Sequence, residues 1–317
     1  GLRAEGMAII FISHKLDEVL RVADDVTVVR AGSTVAQVKS KDVTARQLAE
    51  LMVGSELPQP TTHGDTRRPE VTLSLKDVSV PTKSGSRDLI SHISFDLQAG
   101  EVIGIAGVEG NGQAELVEAI MGLREYTGQI EFKGKNIDHY SVAHRHDAGI
   151  GLIPEDRQRQ ALMMNSPLWE NRILGHQRSK PVMRGFILDK KATIADTRVI
   201  MDEFDVRAPG PHTLATALSG GNQQKFIVGR EMSKAPALLV ASHPTRGVDV
   251  GAQAAIWDEL RGAREKGMAI VLISADLEEL IGMSDRLLVM LRGAITAELN
   301  PQKTTPEQLG SAMTGAQ

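Results

Sequence analysis

The 317-residue sequence contains no cysteine, which excludes disulfides and cysteine-ligated metal sites and suits a reducing compartment. It also lacks any apolar run near the roughly 18 residues that a membrane-spanning helix requires, and Gly1 opens inside a core-like segment instead of a charged leader. A chain of this kind that meets a membrane is expected to sit on it, not to cross it. A large excess of either charge is lacking too: 36 Lys and Arg against 40 Asp and Glu give a net charge of −4, which leaves no broad basic field for nucleic acid. What is present, 41% hydrophobic and 24% charged residues, suits a soluble globular chain with room for one full domain and part of another.

The chain repeats itself. EGMAIIFISHKLDEV at residues 5–19 returns as KGMAIVLISADLEEL at residues 266–280, an offset of 261 that also pairs Asp24 with Asp285, Gly32 with Gly293, Leu48 with Leu309, Met52 with Met313 and Gly54 with Gly315. No gap is needed across the first 54 residues. Residues 1–54 therefore read as the tail of a unit whose complete second copy occupies residues 71–317, and the first copy would lack about 191 residues of its own front. The expected whole is a tandem protein of which this chain is a fragment.

Residues 55–70 are polar and rich in Pro, Thr and Gly, a linker composition that buries no core. Beyond them VTLSLKDVSV alternates like a strand, and ISHISFDLQAGEVIGIAGV gives two further apolar runs split at Ala99-Gly100. Helical periods follow, with β-branched runs returning at 237–241 and 269–273. Strands alternating with helices predict an α/β core with a largely parallel sheet. The stretch from about 158 to 217 lacks such strands and is expected to be a helical insertion.

Gly107 to Leu116, GVEGNGQAEL, lies between the strand run EVIGIAG and helix-compatible AELVEAIMGL. A strand, a Gly-rich turn and a helix start form a phosphate cradle, because unobstructed backbone amides converge on an anion at the positive helix end. The full P-loop pattern, GxxxxGK[ST], adds a Lys for the β/γ-phosphates and a Ser or Thr for Mg²⁺. Here Gly107, Val108, Glu109, Gly110, Asn111 and Gly112 form the candidate cradle, while Gln113 and Ala114 stand in the last two places. Losing a hydrogen bond to a charged group should weaken nucleotide binding roughly 10- to 100-fold. By itself the stretch reads equally as a plain tight turn. A GxGxxG dinucleotide fingerprint fits worse, since its third glycine would be Glu115.

LSGGNQQKFIVGREM, Leu218 to Met232, supplies a second anion site. Ser219, Gly220 and Gly221 put a hydroxyl and open amides at a helix N-terminus. A simple Ser cap explains Ser219 but not the two glycines or Asn222-Gln223-Gln224. With the degenerate P-loop, the strand run ALLVA ahead of Pro244 and the repeat, the chain strongly resembles the ATP-binding cassette (ABC) family, whose signature is LSGGNQQ. The likeness extends over essentially the whole chain and is nearest to tandem-cassette ATPase subunits of bacterial importers for sugars and nucleosides.

That resemblance implies a P-loop NTPase cassette with a mixed sheet core, an antiparallel β subdomain and a helical subdomain that begins near SPLWENRILG. It implies ATP and Mg²⁺ as cofactors, transmembrane permease subunits as partners, indirectly a substrate-binding protein, and a peripheral place on the cytoplasmic face of the bacterial inner membrane. The other cassette would be a partner in cis, because in this family the signature of one cassette closes over ATP held by the P-loop of the other. Asp249, in TRGVD, matches the contact loop between cassettes. Glu155, in PEDR, stands where the family senses the transport channel. His14, in SHK, matches the switch histidine that contacts the γ-phosphate.

Five positions of the second copy depart from the family pattern: Gln113 for Lys, Ala114 for the hydroxyl, Ser242 and His243 for two carboxylates, and Ala275 for the switch histidine. Ser and His do not replace a Mg²⁺-ligating Asp, and an imidazole acts as a base only with a suitable pKa. No metal ligand is expected from this copy. All five fall on residues that a cassette gives to its own site, whereas Ser219, Gly220, Gly221, Asn222 and Gln223, which serve the neighbour's site, are intact. The resemblance thus implies an ATPase that fires at the first copy's site with His14 and holds nucleotide weakly at the second, so the chain alone should be weak or inactive. EGNGQ and ISADLEEL lean toward nucleoside-type importers over sugar-type ones. Other classes are a purely structural nucleotide-binding module and a soluble cassette protein of translation or DNA repair.

Overall fold

The structure is a computed structural model that describes residues 6–13, 16–30, 32–54, 64–82 and 88–315. It comprises two units, Gly1–Pro58 with Val248–Ala255, and Gln59–Gly247 with Ile256–Gln317. In the first, helix α1 (Leu16–Val22) leads into an antiparallel hairpin of β1 (Asp25–Arg30) and β2 (Ser33–Lys39), a 3₁₀ turn (Ser40–Asp42) and helix α2 (Ala45–Val53). Thr44 and Gln47 cap α2 reciprocally, satisfying two amides that would otherwise be unpaired, and Gly54 ends it with a left-handed backbone, φ 88°.

The second unit begins with β3 (Val71–Pro81), β4 (Asp88–Gln98), β5 (Val102–Ala106), α3 (Gln113–Met121), β6 (Thr127–Phe132) and β7 (Lys135–Asn136). It continues through α4 (Val142–Ala148), β8 (Ile150–Ile153), α5 (Leu168–Asn171), β9 (Met183–Arg184), β10 (Ile187–Leu188), α6 (Lys190–Glu203) and α7 (Gly220–Met232). The chain then forms β11 (Leu238–Ser242), α8 (Val250–Glu265), β12 (Ala269–Ile273), α9 (Leu277–Met283), β13 (Arg286–Leu291), β14 (Ala294–Leu299) and α10 (Pro306–Thr314).

A six-stranded sheet in the order β14-β13-β5-β12-β11-β8 forms the centre, parallel throughout except for the antiparallel edge strand β14. A second, antiparallel sheet has the order β4-β3-β6-β7. The central strands are apolar and wholly buried, as a sheet covered on both faces requires. Their side chains alternate between two cores. Ile103, Ile105, Leu238, Val240, Val271 and Ile273 join the antiparallel sheet and α3, while Val102, Leu239, Ala241, Ile270 and Leu272 join residues of α7, α9 and α10.

The stretch expected to be a helical insertion holds one long helix, α6, a π-helical turn (Arg157–Ala161), the short α5 and the small antiparallel hairpin β9–β10. Two-residue strands leave too little alternation to be read from sequence. Much of the rest is held by loop hydrogen bonds, such as those of buried Asn171 to Met163, Ser166 and Pro167.

The repeat is structural as well. To within one residue, α1, β1, β2, the 3₁₀ turn and α2 recur 261 positions later as α9, β13, β14, Pro301–Lys303 and α10. Even the irregularity between Val28 and Val29 returns between Val289 and Met290, and the Thr44–Gln47 cap returns as Thr305–Gln308. The counterpart of β12 behaves otherwise. β12 is buried between β5 and β11, whereas residues 8–12 form no strand and leave Ile10 96% and Ile12 99% exposed. Among the described residues no strand pairs with this apolar segment.

Arg145, only 1% exposed, fixes the far end of the helix that follows the Gly-rich loop. Its guanidinium donates to the carbonyls of Ala119 (2.8 Å) and Ile120 (2.7 Å) at the C-terminus of α3, to those of Ile137 and Tyr140, and to the Tyr126 hydroxyl. A cation there also meets the negative end of the helix dipole. Arg145→Met is expected to cost about 3 kcal/mol, since several buried carbonyls lose their donor together. Urea unfolding of both proteins measures it, and a loss below about 1 kcal/mol would mean that water satisfies those carbonyls in the variant.

Candidate functional site

The central strands run parallel, so the residues that leave their carboxyl ends gather along one edge of the sheet. β5 opens into Gly107–Gly112, β11 into His243, β12 into Ser274-Ala275, and β8 into Pro154-Glu155.

The Gly-rich loop is a preformed turn. Gly110 and Gly112 have φ of 90° and 108°, a region that favours glycine, and a Cβ at Gly112 would also lie 2.6 Å from Ile90 Cγ2. Asn111 ties the loop to the β13–β14 turn: its carbonyl accepts from Gly293 N (3.0 Å) and its side-chain oxygen from Arg292 N (3.0 Å). Val108, Glu109, Gly110 and Ala114 are exposed. Gly112 caps the nine-residue helix α3, so the open amides of the loop point where an anion would bind. Gln113, in the place of the family's Lys, turns back and donates from Nε2 to the Val108 carbonyl at 3.3 Å.

The strand exits are coupled beneath the surface. Glu279 is fully buried and accepts from Ser274 Oγ (2.5 Å), Trp257 Nε1 (2.7 Å) and Thr245 Oγ1 (2.9 Å), a knot that joins the chains leaving β11 and β12. Burial pushes its pKa up against those three donors. Above it His243, with a left-handed backbone (φ 50°), accepts the Ala275 N–H on Nδ1 at 3.2 Å. Burial holds its pKa below the usual histidine value, with Glu155 and Glu109 opposing and Arg246 assisting. A neutral ring that accepts on Nδ1 carries its hydrogen on Nε2. Its free nitrogen is then a donor, which suits contact with phosphate and not the abstraction of a proton from water.

Ser219 caps α7 and accepts from Asn222 N (3.4 Å) and Asn222 Nδ2 (3.0 Å). The Asn222 side-chain oxygen accepts from Arg207 N at 2.7 Å. Gly221 is buried. Gln223 is 3% exposed and spends its amide on the carbonyls of Ala215 and Leu218, so its side chain packs inward and not at the exposed helix start.

Arg157, the last residue of PEDR, holds the signature side together. It donates to the carbonyls of Arg246 (2.6 Å) and Gly247 (3.2 Å), and a Cβ on Gly220 would lie 2.7 Å from its Nη2. Glycine at 220 is what lets that guanidinium approach. Arg246 in turn donates to Glu155 at 2.5 Å. The structure thus brings Glu155, Arg157, Arg246 and Gly220 into one group and His243 and Ala275 into another. None of the hydrogen bonds of Gly107–Ala114 reaches Ser219–Gln223. Asp249, in the first unit, caps its own helix start by accepting from Ala252 N at 2.9 Å. His14 lies outside the described residues.

These residues fit a nucleotide phosphate through the backbone amides of the Gly-rich loop and the Nε2 hydrogen of His243. They do not fit Mg²⁺: Ala114 has no side-chain oxygen, the places of the two family carboxylates hold Ser242, a buried hydroxyl, and His243, which turns a ring nitrogen to an amide, and the buried Glu279 already accepts three hydrogen bonds.

A model described as ABC transporter matches residues 90–246. The nucleoside import ATP-binding protein NupA of Lactococcus lactis subsp. cremoris is 40% identical over 312 residues, covering 98% of this chain and 62% of that protein. The chain carries a cassette of the ABC transporter family. The chain is also 40% identical, over 313 residues, to the guanosine import ATP-binding protein NupO of Bacillus subtilis, covering 98% of this chain and 61% of that protein. The xylose import ATP-binding protein XylG of Moorella thermoacetica is 35% identical, with 99% and 62% covered. The chain therefore spans about three fifths of the length of these curated relatives. A solved ATP-binding subunit of an ABC transporter superposes with a TM-score of 0.62 at 19% identity, covering 77% of this chain and 99% of that one, and shares the mixed α/β cassette fold.

Gln113→Lys is expected to tighten binding of a fluorescent ATP analogue about 10- to 100-fold, by restoring a charge-assisted contact inside an existing cradle. An unchanged dissociation constant would mean that the loop no longer holds a nucleotide.

Proposed function

We propose that the chain is the C-terminal part of the ATP-binding subunit of an ABC importer for nucleosides or simple sugars, attached peripherally to the cytoplasmic face of the bacterial inner membrane by transmembrane permease subunits. Among the described residues no helix is long and apolar enough to cross a membrane. Residues 1–54 are the tail of a first cassette, residues 55–70 a linker and residues 71–317 the second cassette. The element-by-element correspondence at 261 residues supports this division, as does the unpaired apolar segment that matches β12.

One contrast carries the mechanism. The helix start that faces a partner, Ser219-Gly220-Gly221, is complete and braced by Arg157, while this cassette's own site lacks the Lys, the carboxylates and the switch histidine. ATP would be bound and hydrolysed at the site of the first cassette, which would also supply the Mg²⁺ ligands, with His14 serving the γ-phosphate and Ser219 and the Gly220 and Gly221 amides closing over it. Phosphoryl transfer depends on such positioned donors. The second site binds nucleotide through backbone amides and His243 without hydrolysing it, and acts as the standing half of the interface. Asp249 and Glu155 carry the contacts to the other cassette and to the permease.

The relatives' names support a nucleoside or a sugar as cargo, and the motifs EGNGQ and ISADLEEL favour the nucleoside. The chain taken by itself also fits a regulatory nucleotide-binding module, a reading favoured by the five lost groups.

In the complete protein, Ser219→Arg is expected to lower Mg-ATP turnover at least about 10-fold, the loss typical of a missing donor at a developing charge, whereas Gln113→Ala should leave it unchanged. The opposite ranking would reject the asymmetric site. Uptake of a labelled purine nucleoside and of labelled glucose, compared between wild-type cells and cells carrying Ser219→Arg, separates the two cargo classes.

A further inference from the structure

Away from the sheet edge, three residues from separate parts of the second unit converge in the interior. They are His146 in the last turn of α4, His176 in the loop after α5, and Glu231 near the end of α7. One ligand atom from each lies within 4.8 Å of the others, and His146 Nε2 is 3.4 Å from Glu231 Oε2. The two imidazoles meet edge to face at 4.8 Å between ring centres.

His176 is the unusual member. It is 1% exposed, and neither ring nitrogen has a hydrogen-bond partner. Buried polar atoms are normally paired, so two orphaned nitrogens on one ring call for an account. Burial, helped by the charges of Arg172 and Lys234 and opposed by Glu231, pushes this histidine's pKa down to about 2. The ring is a neutral lone-pair donor. Burial opposes ionisation of Glu231, but Arg230 and the hydrogen bond with His146 outweigh it and hold that carboxyl at about 2. The third donor is an anion.

From this arrangement we propose that His146, His176 and Glu231 form a zinc site that is independent of the nucleotide site. Two imidazole nitrogens and one carboxylate oxygen are a common open zinc set, with solvent as the fourth ligand entering beside the partly exposed His146 ring. Bonds of about 2.0–2.1 Å in a tetrahedron place ligand atoms about 3.3 Å apart, and the His146–Glu231 spacing of 3.4 Å already matches. Closing the remaining separation, which does not exceed 4.8 Å, would require a small movement of the His176 ring.

The surroundings select the ion. Arg230 donates to Glu231 Oε1 at 2.9 Å, and the Leu152 N–H donates to Oε2 at 3.4 Å, which orients the carboxylate as an outer partner does in metal sites. Arg230, Arg172 and Lys234 bring positive charge close by, although Arg172 is paired with Asp196 at 2.5 Å. An ion held by charge alone, such as Mg²⁺ or Ca²⁺, is disfavoured there, while one that bonds covalently to imidazole is not. A bound metal would clasp α4, the loop after α5 and the end of the signature helix, with β8 tied in through the Leu152 N–H, three residues ahead of Glu155.

The test uses the protein without an affinity tag, stripped with chelator and titrated with ZnCl₂ or CoCl₂. The expected result is one ion per chain, a visible absorption band of tetrahedral Co²⁺, and an unfolding midpoint that rises with zinc concentration. His146→Gln and His176→Phe should each weaken binding more than about 10-fold and abolish the band. His146→Gln, at the open edge, should keep the metal-free unfolding midpoint. Absence of the cobalt band in the wild-type protein, or equal zinc uptake by wild type and both variants, would overturn the site.

Discussion

The rest of the second unit depends on the common direction of β8, β11, β12, β5 and β13. Parallel strands buried on both faces place five carboxyl ends along one edge. The positions of the Gly-rich loop, His243, Ala275 and Glu155 are thereby fixed by backbone pairing before any of their side chains matters. That separation of scaffold from chemistry lets the edge hold its shape with Gln113, Ala114, Ser242, His243 and Ala275 at the strand exits. The sheet is held by Ile103, Val240, Val271 and their buried neighbours.

The altered residues have settled into a packed arrangement of their own. Gln113 hydrogen-bonds the loop it ends, and His243 binds the amide of Ala275, the residue that stands in for the family's histidine. Ser242 is buried at the end of β11. Such contacts stabilise the edge without requiring phosphate or metal. The signature side is braced differently, by the Arg157 guanidinium against Gly220 and the 246–247 carbonyls.

Much of this was legible in the sequence because it is written locally. A strand, a Gly-rich turn and a helix start are contiguous, and the 261-residue repeat carried the whole order of α1, β1, β2 and α2 with it. Features built from distant residues were not. The five-way hydrogen bonding of Arg145, the reach of Arg157 across 89 and 90 positions, and the meeting of His146, His176 and Glu231 leave no periodic trace. Gln223 shows how a motif position hides a packing role: its place beside Ser219-Gly220-Gly221 points to ligand contact, while its side-chain amide holds the turn before α7. The short hairpin β9–β10 lies below the length at which alternation can be recognised.

The knot around Glu279 has a practical meaning for observing this molecule. The indole of Trp257, one of only two tryptophans in the chain, donates to a buried carboxylate that also receives the chains leaving β11 and β12. Its emission is therefore wired to the strand exits at which a nucleotide would act. With Trp169 changed to Phe, the protein would carry a single intrinsic optical reporter of any movement there, placed by the fold and needing no added dye.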